Sequence, residues 1–306
     1  MKVSLIGATG FVGTHLVEHL VAAGHVPRLL VRPGDKERPP WPDVCETVVG
    51  TVDDSAAVEE CLAGSDATVY LIGILRENPA RAVTFEGLQF RGVERAIGAA
   101  QPAGVKRFLL MSANGVKPDG TPYQRTKFRA EEALKASGLD WTIFRPSVIF
   151  GDPLGQMEFC TQLKRDIIDS PLPAPLFYRG LLPLHAGAFE LAPVAVADVA
   201  AAFCHALTHP ETIGQSYDLC GPWALSWKDI LTTIAAACGK TKLMLPAPAF
   251  AVQTVAAALD RFPWFPITRD QIAMLLEGNT CAGENGFERL GMIPTPFDVA
   301  ALGYLA

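Results

Sequence analysis

The chain has 306 residues, 49% of them hydrophobic, which is enough apolar material for a large buried core and excludes a disordered chain. Its formal net charge of −6 argues against a nucleic-acid partner, since phosphate backbones are gripped by clustered Lys and Arg. The seven cysteines (Cys45, Cys61, Cys160, Cys204, Cys220, Cys238 and Cys281) are odd in number and lack a C-x-x-C pair; they read as reduced thiols of a cytoplasmic protein, with neither a disulfide frame nor a zinc site.

Lys2-Val3-Ser4-Leu5-Ile6 is a short apolar run of the kind that makes a buried strand, and no basic segment precedes it as in a signal peptide. It runs into Gly7-Ala8-Thr9-Gly10-Phe11-Val12-Gly13 and then into the helical stretch from His15 to Leu20. Strand, glycine turn and helix in succession are the setting in which three spaced glycines mean dinucleotide binding. Gly7 permits the tight turn, Gly10 lets backbone approach a pyrophosphate, and Gly13 lets the helix lie close to the sheet. The helix N-terminus then offers free N–H groups and a favourable dipole to the phosphates.

Residues 25–31 read as a second strand, 44–49 as a third and 54–62 as a short helix. Residues 67–72 form a fourth strand stopped by Gly73, an amphipathic helix covers about 82–100, and 107–111 is a fifth strand. Strands separated by such helices make parallel βαβ units with ligands at the strand C-terminal ends. The predicted fold is therefore α/β, a Rossmann doubly wound parallel sheet with a smaller, mainly helical C-terminal cap. Residues 1–155 form the dinucleotide-binding domain, rejoined by about 190–207, and 156–189 with 208–306 form the cap, which the proline-rich texture after Phe150 suggests.

The strongly apolar stretch from Leu243 to Leu259 falls short of the ~20 residues that span a bilayer. It reads first as a buried helix, with a lid over an apolar substrate and a membrane-surface contact as alternatives; Trp264 and Phe265 nearby keep the last open, because aromatics seek membrane interfaces. The alternative to a purely cytoplasmic protein is a peripheral contact with the inner face of a membrane, or with a protein complex, through about 243–265.

Within Tyr123-Gln124-Arg125-Thr126-Lys127, Thr121 is a candidate N-cap, Pro122 suits the first helical position, and Gln124 completes a capping box. Tyr123 and Lys127 then project from one helix face. A cation near a phenol lowers its pKa from ~10, which makes Tyr123 a candidate general acid or base at a carbonyl or alcohol oxygen. Arg32 ends the second strand, where an acid would accept from the ribose 2′-hydroxyl of NAD; a guanidinium suits a 2′-phosphate instead, so NADP(H) is expected over NAD(H). Asp35, after Pro33-Gly34, reads as a turn cap.

The glycine turn with Tyr123-x-x-x-Lys127 resembles the extended and atypical short-chain dehydrogenase/reductases. Residues 69–75, Phe85-Glu86, Met111-Ser112-Ala113, the stretch 140–151, Asp198-Val199-Ala200 and the stretch 266–271 narrow the resemblance. They are similar to the branch containing the NADPH-binding accessory subunit of respiratory complex I and its bacterial relatives. The resemblance implies that Gly7, Thr9, Gly10, Phe11 and Val12 line the pyrophosphate, Arg32 holds the adenosine phosphate and Gly73 borders the adenine-ribose face. It further implies that Ser112 lies beside the nicotinamide, Lys127 binds its ribose hydroxyls, Pro146, Ser147 and Val148 meet its carboxamide, and Asp198 is structural.

Two departures stand out. Thr51 follows Gly50 where relatives often have an Asp that accepts from adenine, and Asn114 stands where extended members often carry the catalytic hydroxyl. The principal expectation is an NADP(H)-dependent oxidoreductase or epimerase acting on a small molecule of apolar character, with Tyr123, Lys127 and Ser112 catalytic. The alternative is a non-catalytic NADPH-binding protein used for assembly or membrane contact; a regulatory or RNA-binding role is disfavoured by the acidity. His185 reads as a cap residue near substrate and His205 as a packed or capping histidine, with no metal cluster expected.

Overall fold

The computed structural model describes residues 1–34, 43–259 and 268–306, with the backbone alone for 255–259. Asp35, Trp264 and Phe265 lie outside the described residues. The chain divides into two compact units, Met1–Pro146 with Val196–Leu219, and Ser147–Ala195 with Cys220–Ala306.

In the first unit, β1 (Lys2–Ile6), α1 (Phe11–Ala22), β2 (Val26–Val31), β3 (Glu46–Val49), α2 (Ser55–Leu62) and β4 (Ala67–Tyr70) are followed by α3 (Gly92–Ala100), β5 (Arg107–Met111), α4 (Pro122–Lys135) and β6 (Asp140–Pro146). In the second unit lie β7 (Ile149–Phe150), α5 (Phe159–Leu163), β8 (Ala174–Tyr178), β9 (Glu190–Leu191) and β10 (Val194–Ala195). The chain returns to the first unit for α6 (Val196–Thr208) and β11 (Gln215–Leu219). It finishes in the second with β12 (Leu225–Ser226), α7 (Trp227–Ala237), β13 (Met244–Pro248), α8 (Ala249–Leu259), α9 (Arg269–Glu277) and α10 (Gly286–Arg289).

The first unit is the doubly wound sheet expected, seven strands in the order β11-β6-β5-β4-β1-β2-β3 with every pairing parallel. Strands covered on both faces need no polar alternation, and the Ala67–Tyr70 strand is accordingly buried throughout. α2, α3 and α4 pack side by side, and α1 packs on α6. The order reverses between β1 and β4, and a doubly wound sheet opens its ligand crevice at such a point, beyond the strand C-termini.

Several boundaries differ from the sequence reading: the first unit ends at Pro146 where 155 was expected, and the chain re-enters it at Val196 where about 190 was expected. The return to the first unit reaches Leu219, beyond 207, because Gln215–Leu219 pairs with Thr142–Pro146 as a seventh strand. The helix expected from 82 starts later. Ala82 is left-handed at φ 57°, Asn78 and Val83 bridge, and the Phe85 N–H donates to the Glu77 carboxylate at 2.7 Å. Thr84 then caps the Gly87 N–H at 3.0 Å, and a π-helical turn, Glu86–Arg91, leads into α3.

The core of the second unit gathers Phe150, Phe177, Leu191, Ile230, Leu231 and Ile234 around Trp227. Trp227 stacks with Phe177 and Phe189 and donates its indole N–H to the Pro175 carbonyl at 2.9 Å, so its one polar atom is satisfied. Besides its helices the described residues of this unit hold three short strand pairs, β7 with β10, β9 with β12 and β8 with β13. No described helix is long and apolar enough to cross a membrane.

The cysteine reading needs correction. Cys220 and Cys281 form a disulfide, their Cα atoms 6.0 Å apart across 61 residues of sequence, while Cys45, Cys61, Cys160, Cys204 and Cys238 are free. Asn285 explains the juxtaposition. It donates through Nδ2 to the Cys220 carbonyl at 2.8 Å, accepts from the Cys220 N–H at 3.4 Å, and caps the nearby α10. Spacing along a chain carries no trace of such a pairing.

Candidate functional site

The glycine turn joins β1 to α1 at the switch point. Gly7 is left-handed at φ +98°, and a Cβ there would also press on the Ile72 backbone nitrogen at 3.1 Å. A Cβ at Gly13 would lie 2.6 Å from the Ala8 carbonyl oxygen and closer still to that of Gly7, so α1 approaches the turn as only glycine allows. Gly10 is different. It is exposed, a Cβ there would meet only the Gly7 oxygen at 3.4 Å, and as N-cap of α1 it supplies no side-chain oxygen to the first-turn N–H groups. An anion can take those donors, so the turn fits a pyrophosphate, with Thr9, Phe11 and Val12 beside it.

Register places the neighbouring strand ends in line. Ile6 pairs with Leu30 and with Tyr70, and Tyr70 pairs with Leu110. Arg32, exposed just beyond β2, and Gly73, just beyond β4, therefore stand on the same sheet edge as the glycine turn. Gly50 at the end of β3 has a close-packing reason, since a Cβ would collide with that of Ala57 on α2.

α4 carries the chemistry. Its capping box is formed as expected: the Gln124 N–H donates to Thr121 Oγ1 at 3.4 Å, and the Thr121 N–H donates to Gln124 Oε1 at 2.8 Å. The buried face of this helix includes Gln124, Lys127 and Glu131, polar groups that each require a partner. Gln124 also donates to the Gly115 carbonyl at 3.0 Å. Lys127 Nζ donates to the Met111 carbonyl at 2.9 Å, at the end of β5. Glu131, fully buried, accepts from Arg145 Nε at 2.9 Å and Nη2 at 2.5 Å.

Tyr123 is half-buried, its ring edge-on to Phe85 at 5.9 Å and 5.8 Å from Lys127 Nζ. A Cβ on Gly73 would stand 3.5 Å from that same Nζ, so Gly73 leaves open the space in front of the ammonium. Burial pushes the Tyr123 phenol above its ordinary value, because a phenolate there would lose its water. Burial likewise lowers Lys127 to about 8, with the nearby Glu131 carboxylate opposing the shift.

Ser112 is buried, and its hydroxyl donates to Glu131 Oε1 at 2.5 Å. Asn114 is half-buried, its N–H donating to the Pro146 carbonyl at 3.0 Å. Beyond Pro146 the chain enters the second unit. There Ser147 donates to the Asn279 carbonyl at 2.9 Å, and the Val148 carbonyl accepts from the Val194 N–H. Asn279 Oδ1 is buried with no hydrogen-bond partner among the described residues.

Two features escaped the sequence reading. Gln89 is buried, donating to the Ile74 carbonyl at 2.7 Å and accepting from Thr126 at 3.2 Å, and so pins α4 to the segment after β4. His205, His209 and Glu211 converge, their candidate ligand atoms all within 4.8 Å of one another, although no metal cluster was expected. The His-x-x-x-His spacing at a helix end was the available signal. His185 is exposed, with φ 55°.

A family model described as NAD(P)H-binding matches residues 7–166. The ceramide reductase of Caulobacter vibrioides is 31% identical over 150 residues, which cover 49% of this chain and 46% of that protein, so this chain spans less than half of that relative's length. NADH dehydrogenase [ubiquinone] 1 alpha subcomplex subunit 9 of Rattus norvegicus is 26% identical over 315 residues, covering 99% of this chain and 79% of that one. The crystal structure of a nucleoside-diphosphate-sugar epimerase from Staphylococcus aureus superposes with a TM-score of 0.74 over 99% of this chain and 100% of that one, at 19% identity.

Proposed function

The chain belongs to the NAD(P)H-binding family, and we propose that it is an NADP(H)-dependent oxidoreductase or epimerase of the short-chain dehydrogenase type, with Tyr123 as proton donor and acceptor and Lys127 as its tuner. The placement of the Lys127 ammonium carries this reading: fixed by the Met111 carbonyl, 5.8 Å from the Tyr123 ring and faced by Gly73. Gly7, Thr9, Gly10, Phe11, Val12 and Gly13 would hold the pyrophosphate, Gly73 would border the adenine-ribose side, and Lys127 would hold ribose hydroxyls. When bound, the nicotinamide supplies or accepts a hydride. Tyr123, kept protonated at neutral pH by burial, gives its phenolic proton to the substrate oxygen as the carbonyl is reduced, and takes it back in the reverse direction. The neighbouring ammonium stabilises the phenolate that this transfer leaves. Ser112, committed to Glu131, acts here as a positioning residue that holds the end of β5 against α4.

Arg32 supports NADP(H) over NAD(H), since a guanidinium beyond β2 pairs with a 2′-phosphate where a carboxylate would repel it. An apolar substrate suits the apolar bias of the second unit and the name of the Caulobacter relative. The test is NADPH oxidation with a panel of carbonyl compounds. Tyr123→Phe should lower turnover by about 10²-fold or more with NADPH affinity retained; equal rates for the two proteins would remove the mechanism.

A second reading, a non-catalytic NADPH-binding protein used for assembly or membrane contact, is favoured by the apolar side chains that the second unit shows to solvent. Leu181, Leu182 and Leu184 are 90%, 65% and 66% exposed, and Phe250 is 56% exposed. Nucleotide that survives gel filtration without exchanging its redox state would support it, and measurable turnover would sink it.

A further inference from the structure

We propose that His205, His209 and Glu211 form a surface site for a divalent transition ion of the zinc and cobalt class, at the C-terminal end of α6 and apart from the nucleotide site. The three residues lie within seven positions of sequence, His-Ala-Leu-Thr-His-Pro-Glu, and their candidate ligand atoms are all within 4.8 Å of one another. Two imidazoles and a carboxylate are a donor set that zinc accepts, with a fourth position left to water.

The His209 ring is already hydrogen-bonded through the nitrogen that would not bind the ion. Its Nδ1 lies 2.7 Å from the His205 carbonyl oxygen, one of the acceptors that a helix end leaves unpaired. A carbonyl can only accept, so Nδ1 carries the proton and the lone pair sits on Nε2. Fixing the tautomer through an outer hydrogen bond is how metal-binding histidines are commonly held. The rings of His205 and His209 stack at 3.5 Å with 11° between their planes. An ion in both ring planes requires them to fan apart by side-chain rotation. Bonds of ~2.1 Å in a tetrahedron put ligand atoms about 3.4 Å from one another, so from separations of up to 4.8 Å the three groups close by as much as ~1.4 Å.

The backbone beneath the site is tied down by buried hydrogen bonds. Thr212 is fully buried, donating to the His209 carbonyl at 2.7 Å and accepting from Arg107 Nη2 at 2.8 Å. Arg107 Nη2 also reaches the Ala206 carbonyl at 2.7 Å, and Thr142 Oγ1 donates to the Thr212 carbonyl at 2.6 Å. Pro210 limits the backbone between the second histidine and the glutamate. Ion binding therefore carries little cost in ordering the chain, and the site would clasp the end of α6 to the turn leading into β11.

The test uses the full chain with its disulfide intact. Co2+ is added while the visible absorption of a low-symmetry cobalt centre is recorded, and Zn2+ binding is followed by calorimetry. The expected result is saturable binding of a single ion that raises Tm. His209→Gln and Glu211→Gln should each weaken it about tenfold or more, while His185→Gln, an exposed histidine of the second unit, leaves it unchanged. Should His209→Gln be poorly folded, Glu211→Gln alters only an exposed side chain and decides alone. Absence of saturable binding, or binding that both variants keep at full strength, would overturn the proposal.

Discussion

Ser112 on the segment after β5 gives its hydroxyl to Glu131 on α4 at 2.5 Å, and that carboxylate has no exposed surface. Glu131 also takes two hydrogen bonds from Arg145 on β6, so one buried anion ties together the end of β5, α4 and β6. The same anion partly offsets the desolvation of Lys127 one helical turn away. Glu131→Gln should leave Arg145 with only the more distant Asp218 carboxylate, at 3.6 Å, as countercharge, and cost about 2–4 kcal/mol of stability, below a fully buried pair because Asp218 remains and the Arg145 side chain is 26% exposed. The Lys127 pKa should fall further in this variant. Urea denaturation reads the first effect, and a change below twofold in the folding equilibrium would contradict it.

Gly10 and Gly13 should separate binding from folding. A Cβ at Gly10 meets only one backbone oxygen, at 3.4 Å, whereas at Gly13 it strikes two carbonyls of the turn. Gly10→Ala is therefore expected to melt within a few degrees of the parent while losing NADPH affinity, because the methyl occupies the approach of the pyrophosphate. Gly13→Ala should lose both, since α1 must move off the sheet. Calorimetry with NADPH beside thermal melts reads the pair; unchanged affinity in Gly10→Ala would contradict the site.

Reduction should loosen the second unit. The Cys220–Cys281 bond closes a loop of 61 residues, for which loop-closure entropy suggests about 4 kcal/mol, commonly realised as ~2–4. Because Asn285 still brackets the Cys220 backbone through two hydrogen bonds, the local geometry should survive reduction while the unfolded chain gains freedom. Denaturation with and without dithiothreitol, with Cys281→Ser as control, measures the difference. A midpoint insensitive to both would show that the bond adds nothing.

Features set by neighbours in sequence were legible in sequence. The glycine turn and the Thr121–Gln124 capping box depend on residues a few positions apart, and both stand where the residue types place them. Features set by distant partners were not. Gln215–Leu219 falls within the expected cap and becomes a strand because β6 presents an open edge to it. Ser112 suggested a hydroxyl for catalysis, yet nothing local reveals that the carboxylate it meets comes from Glu131, 19 positions on. The start of the helix before α3 was misplaced for a similar reason, since a bridge from Asn78 holds Ala82 in a left-handed conformation that its side chain does not favour. The disulfide and the Gln89 anchor belong to the same class.

Lys127 should make the protein more stable as pH rises above neutrality. Its folded-state pKa is lowered from 10.5 to about 8 by burial, so between these values the unfolded chain binds the proton more tightly than the folded one. Stability then grows with pH across that window, by about 3 kcal/mol if the whole shift is expressed and less where the nearby Glu131 is coupled to it. Below pH 8 both states carry the charge, and the full cost of burying it is present. Lys127→Met should accordingly be more stable than the parent at pH 7 and lose the rise toward pH 10, while losing activity because Tyr123 has lost its cation. Urea midpoints for both proteins at pH 7 and pH 9.5 decide the matter, since a parent protein that loses stability over this interval relative to the variant would place the buried charge elsewhere.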